Sequence, residues 1–411
     1  MSDMKRTIIR IGNVADIGRG SSPRPITDKK YFENGEIPWI KIADATASGK
    51  KIYITKEYVN DVGASYSRKM KPGTLILSAS GVSLGIPHFL GVEGCIHDGW
   101  IYMDNIHDID KQYLYYLLLT MRPYFDNLSY GAAIQNINTT ILSKTKIEVP
   151  GIQSQEKIGL ILSAYDNLIE NNNKRIKLLE QMAENLYKEW FVRFRFPGYE
   201  DVEFEGKSPK GWNKLRLNQF GIQLESGARP QGGINSLIDD GVPSLGAESV
   251  KGLAEFDYSD VKLIPEEFYH KLKRGKNRGN HILIYKDGAY IGKITLFKYG
   301  FPFERFAINE HVFFMNSIRS EYQNYLYFTL KQTSYFTLMQ NLNRNAAQPG
   351  LSQLDLNRIR IIEPDQVTVV RFNDIVEPIL KEVFLLAKKN HLLIKQRDML
   401  LPRLMSGKLE V

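Results

Sequence analysis

Two loops combine glycine, proline and arginine in the way a polyanion site requires. One is Gly18-Arg19-Gly-Ser-Ser-Pro-Arg24-Pro25 and the other is Ser226-Gly-Ala-Arg229-Pro-Gln231-Gly-Gly233. Glycine lets the backbone approach a phosphate. Arginine can fork onto a phosphate or onto O6 and N7 of guanine. A solvated turn is the bland alternative, and recurrence in both halves weighs for binding. A second basic segment is also present twice, as Tyr66-Ser-Arg68-Lys69-Met-Lys71 and Lys271-Leu-Lys273-Arg274-Gly-Lys276-Asn-Arg278. Such runs usually lie on solvated surface, where phosphate contact is their obvious use. A third pair is Gln135-Asn136-Ile-Asn138 and Arg344-Asn345-Ala-Ala-Gln348. Its amides could read adenine, or could cap turns, and both readings stay open. The expected contacts with a nucleic acid are therefore Arg19, Arg24, Arg68, Lys69, Lys71, Gln135, Asn136, Asn138, Arg229, Gln231, Lys273, Arg274, Lys276, Arg278, Arg344, Asn345 and Gln348.

Covalent chemistry finds no comparable footing. Gly18-Arg-Gly20-Ser-Ser-Pro23 starts like a dinucleotide loop but has proline where the third glycine belongs. Gly288-Ala-Tyr-Ile-Gly292-Lys293-Ile294 is one residue short of a phosphate-binding loop and lacks its metal-reaching hydroxyl. The seven histidines are scattered without helical i,i+4 ligand pairs. His97-Asp98 reads as an ordinary turn or core pair. No catalytic residue and no metal site is expected.

The elements that carry these loops occur twice. Tyr113-Leu114-Tyr115 returns as Tyr325-Leu326-Tyr327, and Gly81-Val-Ser-Leu-Gly85 returns as Gly288-Ala-Tyr-Ile-Gly292. A period this long is a duplicated domain rather than a short-repeat solenoid. Residues 1–150 read as a mixed strand-and-helix domain, with a helix over about Lys111 to Asn127. Residues 211–364 repeat its order, with a helix over about Tyr322 to Leu342. A long helix is expected after each, over residues 151–196 and 365–405, with a charged linker at 197–210 and a tail at 406–411. The helix stripes hold Ile158, Tyr165, Ile176, Leu179 and Leu186, and Phe372, Ile379, Leu386, Leu393 and Leu400, at steps that fit one helical face. Two such helices should pack on each other, antiparallel, as a coiled coil. Asn171-Asn-Asn173 interrupts the first stripe, and Pro378 predicts a kink or break near Glu377 in the second. The fold class is α+β with an internal two-fold repeat.

Bulk properties agree. The 411 residues are 43% hydrophobic, with a single cysteine and a net charge of +8. That composition fits a globular protein with real cores, without a disulfide framework, and it leans towards a polyanionic partner. The opening Met1-Ser-Asp-Met-Lys-Arg6 lacks the apolar stretch of a signal peptide, so the cytoplasm is the expected location.

At this point the chain resembles the specificity subunits of Type I restriction-modification systems. The closing stretch Met399-Leu-Leu-Pro-Arg-Leu-Met-Ser-Gly-Lys-Leu409 is similar to the family's terminal signature, and Glu180-Gln-Met-Ala-Glu-Asn-Leu-Tyr-Lys-Glu-Trp-Phe191 occupies the matching stretch of the first helix. Gly211-Trp212 and the following strand are similar to the opening of a target recognition domain. The resemblance implies that each recognition domain reads one half of a bipartite DNA target. It implies that the helix pair sets the spacer and docks two methyltransferase subunits, which bind S-adenosylmethionine and flip adenine. Restriction subunits using ATP and Mg could join them. This chain would then be non-enzymatic and hold no cofactor. The alternative is a standalone two-domain adaptor whose helices form a dimerisation stalk.

Overall fold

The computed structural model describes residues 6–46, 48–129, 136–231, 233, 240–342 and 350–411. The chain forms two compact units, one of residues 1–171 with 392–411 and the other of residues 172–391. The division falls inside both long helices, so each unit contains a segment of each.

In the first unit, strands Asp16–Arg19, Trp100–Asp104, Leu75–Ser78, Pro87–Leu90 and Lys51–Ile52 form one sheet in that spatial order. The strands Leu75–Ser78 and Pro87–Leu90 are buried along their whole length because both faces are covered. Leu75, Leu77, Ile101 and Met103 pack with the helix Lys111–Thr120, whereas Ile76 and Trp100 point the other way, onto Ile40, Ile52 and Ile96. This is the strand period of two sorting side chains between two cores. A smaller sheet orders Tyr58–Val59, Ile37–Ile40, Gly94–Ile96 and Arg68–Met70, with a parallel pairing of Trp39 to Cys95 and Ile40 to Ile96.

The second unit repeats this plan. Its larger sheet orders Ile222–Ser226, Val312–Ser317, His281–Tyr285 and Ile294–Phe297. Its smaller sheet again holds a parallel pairing, Ser244 to Ala307 and Leu245 to Ile308. Each repeated domain also joins its first strand to its last, Thr7–Arg10 with Lys146–Val149 in residues 1–150 and Asn213–Arg216 with Arg360–Glu363 in residues 211–364. The helix expected in each repeated domain is broken in two. Lys111–Thr120 is followed by Arg122–Ser129, whose first turn accepts Pro123 because proline there forfeits no helical hydrogen bond. Gln323–Lys331 is followed by Thr333–Leu342, with the intervening Gln332 in extended conformation.

The first long helix runs from Ile152 to Tyr187 and ends in a π-helical turn, Lys188–Val192. The second runs from Gln366 to Met405 without a break. Pro378 therefore does not end it, although the proline removes one backbone donor. Glu377 beside it is tied to the buried Lys298 at 2.6 Å and to Asn324 at 2.7 Å. Residues 197–210 hold a short hairpin, Phe204–Glu205 with Ser208–Pro209, where the composition suggested only a linker.

Within each unit the two helices run antiparallel. In the first, Asp166 meets Arg397 at 2.6 Å. In the second, the buried Asn172 meets Asn390 at 2.8 Å, Arg175 meets Glu382 at 2.9 Å, and Trp190 lies against Phe372. Partner numbers fall on one helix as they rise on the other. Ile158, Phe372 and Leu386 are buried, and Tyr165, Ile176, Leu179, Leu186, Ile379, Leu393 and Leu400 are half-buried. Leu168, Met182 and Ile375, which share the apolar stripe, are exposed instead. Among the described residues, no helix is long and apolar enough to cross a membrane.

Asp166 is the hub of the first unit's polar interior. Its carboxylate accepts from Tyr116 and Arg397 and lies 3.7 Å from Lys50, whose side chain is 7% exposed. Burial pulls the Lys50 ammonium down to about 8 in spite of that carboxylate. Replacing Asp166 by Ala should cost about 3–5 kcal/mol, since two cations are left without their shared acceptor. Lys50→Met should cost far less, and equal losses in urea unfolding would refute the hub. Because the unfolded lysine keeps its proton up to its ordinary value of 10.5, the folded chain sheds it first. The wild type should thus gain stability relative to Lys50→Met as pH rises from about 8 to about 10. A flat difference would contradict the burial argument.

Candidate nucleic-acid interface

Within each unit, the basic loop is held down by its own glycine. A Cβ on Gly20 would stand 2.7 Å from the Ile96 carbonyl oxygen and 2.2 Å from that of His97. A Cβ on Gly227 would stand 1.7 Å from the Ile308 oxygen and 2.8 Å from that of Asn309. These are matching positions of the repeat, at the end of the same parallel strand. Glycine is needed here for close approach to the unit's own backbone, a use that its type alone does not reveal.

The second basic segment crosses the first loop in both units. Ser67 donates from Oγ to the Ser21 carbonyl at 2.6 Å, and Arg68–Met70 pairs with Gly94–Ile96. In the second unit a Cβ on Gly275 would meet the Gly227 Cα at 2.8 Å, and the Gly275 carbonyl accepts from the Ile308 N–H at 2.9 Å. The stem of the third loop arrives at the same edge. Asn136 bridges Ser80, whose neighbour Ala79 donates to the Gly99 carbonyl at 2.9 Å. Correspondingly, Gly350 bridges Asp287, and Asp287 lies 3.2 Å from His311. The three segments picked from sequence thus meet in the first unit, and in the second unit the first two meet, with Gly350 and Asp287 beside His311.

Individual side chains differ in how free they are. Arg24 is exposed and paired with Asp98, while Arg19 donates from Nε to the Asp98 carbonyl at 2.7 Å. Arg229 is paired with Glu310 and lies 3.0 Å from the Nε2 of His311. Lys69 pairs with Glu93 at 2.7 Å, and Arg68 and Lys71 are exposed. Lys276 is turned inward, donating to the His270 carbonyl and lying over the Tyr269 ring. Arg278 reaches Glu225 at 3.5 Å. Lys273, Arg274 and Gln231 are exposed. Asn138 caps the helix Thr139–Lys144 by accepting from the Ile141 N–H, so its amide oxygen is committed to structure. Gln135, Arg344, Asn345 and Gln348 lie outside the described residues.

Asp98 and Glu310 were not on the expected list, and His97-Asp98 was read as a plain turn or core pair. The signal was available: these two acids match at the same spacing as Tyr113 and Tyr325. For Glu310, burial works to raise the carboxyl, but its own backbone hydrogen bond and Arg229 hold it below the ordinary range. Among the described residues, no group of three His, Cys, Asp or Glu could hold a metal ion.

Residues 2–181 match the Type I restriction modification DNA specificity domain. Over 98% of its length the chain is 28% identical to the MjaIX specificity subunit, a type I restriction enzyme subunit of Methanocaldococcus jannaschii, and covers 93% of it. It is 23% identical to the HindI specificity subunit of Haemophilus influenzae, covering 100% of both chains. The crystal structure of a Type-I restriction-modification S subunit from M. genitalium shares its fold, with a TM-score of 0.61 at 15% identity over 98% of this chain and 97% of that one. The resemblance to Type I specificity subunits read from the sequence is thus found in the domain match, in full-length relatives and in the fold.

Gly20→Ala and Gly227→Ala should each destabilise the chain, by about 1–3 kcal/mol as overpacking does. Thermal melts test this, and a variant that melts like the wild type would show that the loops can lift off the strand end freely.

Proposed function

We propose that this chain is the DNA-specificity subunit of a Type I restriction-modification complex. The observation that carries the reading is the duplicated meeting of two basic segments at the end of one parallel strand, joined in the first unit by the stem of an amide-bearing loop. One chain with two copies of a recognition edge, and different side chains on each, suits a target with two unlike halves. Each unit reads one half through the major groove, with arginine on guanine edges and lysine on phosphates.

The two long helices fix the spacer between the half-sites. They also dock two methyltransferase subunits, which bring S-adenosylmethionine and extrude the adenine. Leu160, Leu178, Met182, Leu392 and Met399 support a docking role, since each is more than half exposed on a helix that would not need it for folding. Restriction subunits, with ATP and Mg, join that core where they are present. The work is done in the cytoplasm, where the DNA is. Catalysis belongs to the partner chains, and this chain contributes recognition and spacing.

Replacing Lys273, Arg274 and Lys276 together by Gln should weaken binding to duplex DNA and flatten its salt dependence. Lys276 is engaged within its own unit, so the log–log slope should drop by roughly 2 rather than 3, at about 0.9 per phosphate contact. An unchanged slope would remove that segment from the DNA and with it the main electrostatic support for the proposal.

A further inference from the structure

One acidic residue occupies the same place in both units and faces the same kind of partner. Asp98 lies two residues beyond the strand Gly94–Ile96, and Glu310 two residues beyond Ala307–Ile308. Asp98 holds the Nη2 end of Arg24, and Glu310 holds the Nε and Nη2 edge of Arg229. Both guanidinium groups nevertheless remain open to solvent, at 67% and 46% side-chain exposure. A histidine backs each acid: His97 lies 2.9 Å from Asp98, and His311 lies 3.4 Å from Glu310. Exposed ion pairs contribute little to stability, so stability is a poor reason for building this one twice.

We infer that Asp98 and Glu310 are positioning residues that set specificity, each aiming its arginine at a guanine edge and withholding it from phosphate. The inference rests on the proposal that these loops face DNA. A phosphate competing for the arginine must approach a fixed carboxylate and is repelled by it. Guanine O6 and N7 are uncharged acceptors, which the guanidinium N–H groups left free by the acid, those of Nη1 foremost, can reach while the acid holds Nη2. The cytosine of the same pair presents its N4 amino group, a donor suited to a carboxylate. An arginine and an acid held side by side therefore match a G·C pair and mismatch a bare backbone.

The test uses the full-length chain with Glu310→Gln, Asp98→Asn, Arg229→Ala and Arg24→Ala, each checked by thermal melting, with Glu310→Asp as the conservative control. Binding to a random-sequence duplex is measured across a salt series. The same changes are made in the chromosomal gene, and adenine methylation is read across the host genome. The carboxamide variants should bind random duplex several-fold more tightly, with a salt slope steeper by about 1. Each should relax the methylated motif at a G·C pair in one half only, Glu310→Gln in one half and Asp98→Asn in the other. Glu310→Asp should keep the wild-type motif. If the arginine variants lose methylation while the carboxamides leave slope and motif unchanged, the arginines read DNA without help and the inference is overturned. If the arginine variants too leave binding and motif intact, the loops do not face DNA and the parent proposal falls with it.

Discussion

At Gly20 and Gly227 the loop backbone presses on the carbonyl oxygens that end a parallel strand, and the candidate interface depends on that approach. No side chain fits in the gap. Because the loop is held there, Arg24 comes to Asp98 and Arg229 to Glu310. In the first unit the strand has neighbours on both sides, Trp39 and Ile40 opposite Cys95 and Ile96 and Arg68–Met70 across from Gly94–Ile96; in the second it pairs with Ser244 and Leu245 on one side and is bridged by Lys276 on the other. A contact made by the smallest residue thereby sets the position of the largest polar ones.

The helices are held by a different kind of contact. Their apolar faces give adhesion, but apolar faces slide, and polar partners pick the register. Asp166 with Arg397 does this in the first unit, and the Asn172, Asn173 and Asn390 amides do it in the second. The break in the stripe at Asn171-Asn-Asn173 is thus part of the packing rather than a gap in it. In the proposed function a spacer must have a definite length, and side chains that allow only one register suit that role.

Much of this was legible in the sequence, and the reasons are specific. The duplicated Tyr-Leu-Tyr helix and the Gly-x-x-x-Gly turn survive at nearly the same spacing because each is tied to a buried core, so the repeat could be read directly. The basic loops were legible by composition, but the use of their glycines was not, since it depends on a strand end some seventy to eighty residues away in the chain. Pro378 does not break the helix, and the tertiary anchoring of Glu377 by Lys298 beside it is invisible locally. Asn138 could be read as an adenine reader or a cap, and the structure uses its oxygen as a cap. The acids beside the arginines were overlooked because a lone Asp or Glu after a strand carries no local signal. Only the comparison of one half with the other would have raised them.

In the proposed function, one chain reads two DNA half-sites for a methyltransferase. Long-read detection of methylated adenine in the native host, with this gene intact and deleted, tests it most directly. A bipartite motif, two short blocks separated by a fixed gap, should be methylated with the gene intact and disappear on deletion. Methylation that is the same with and without the gene would contradict it.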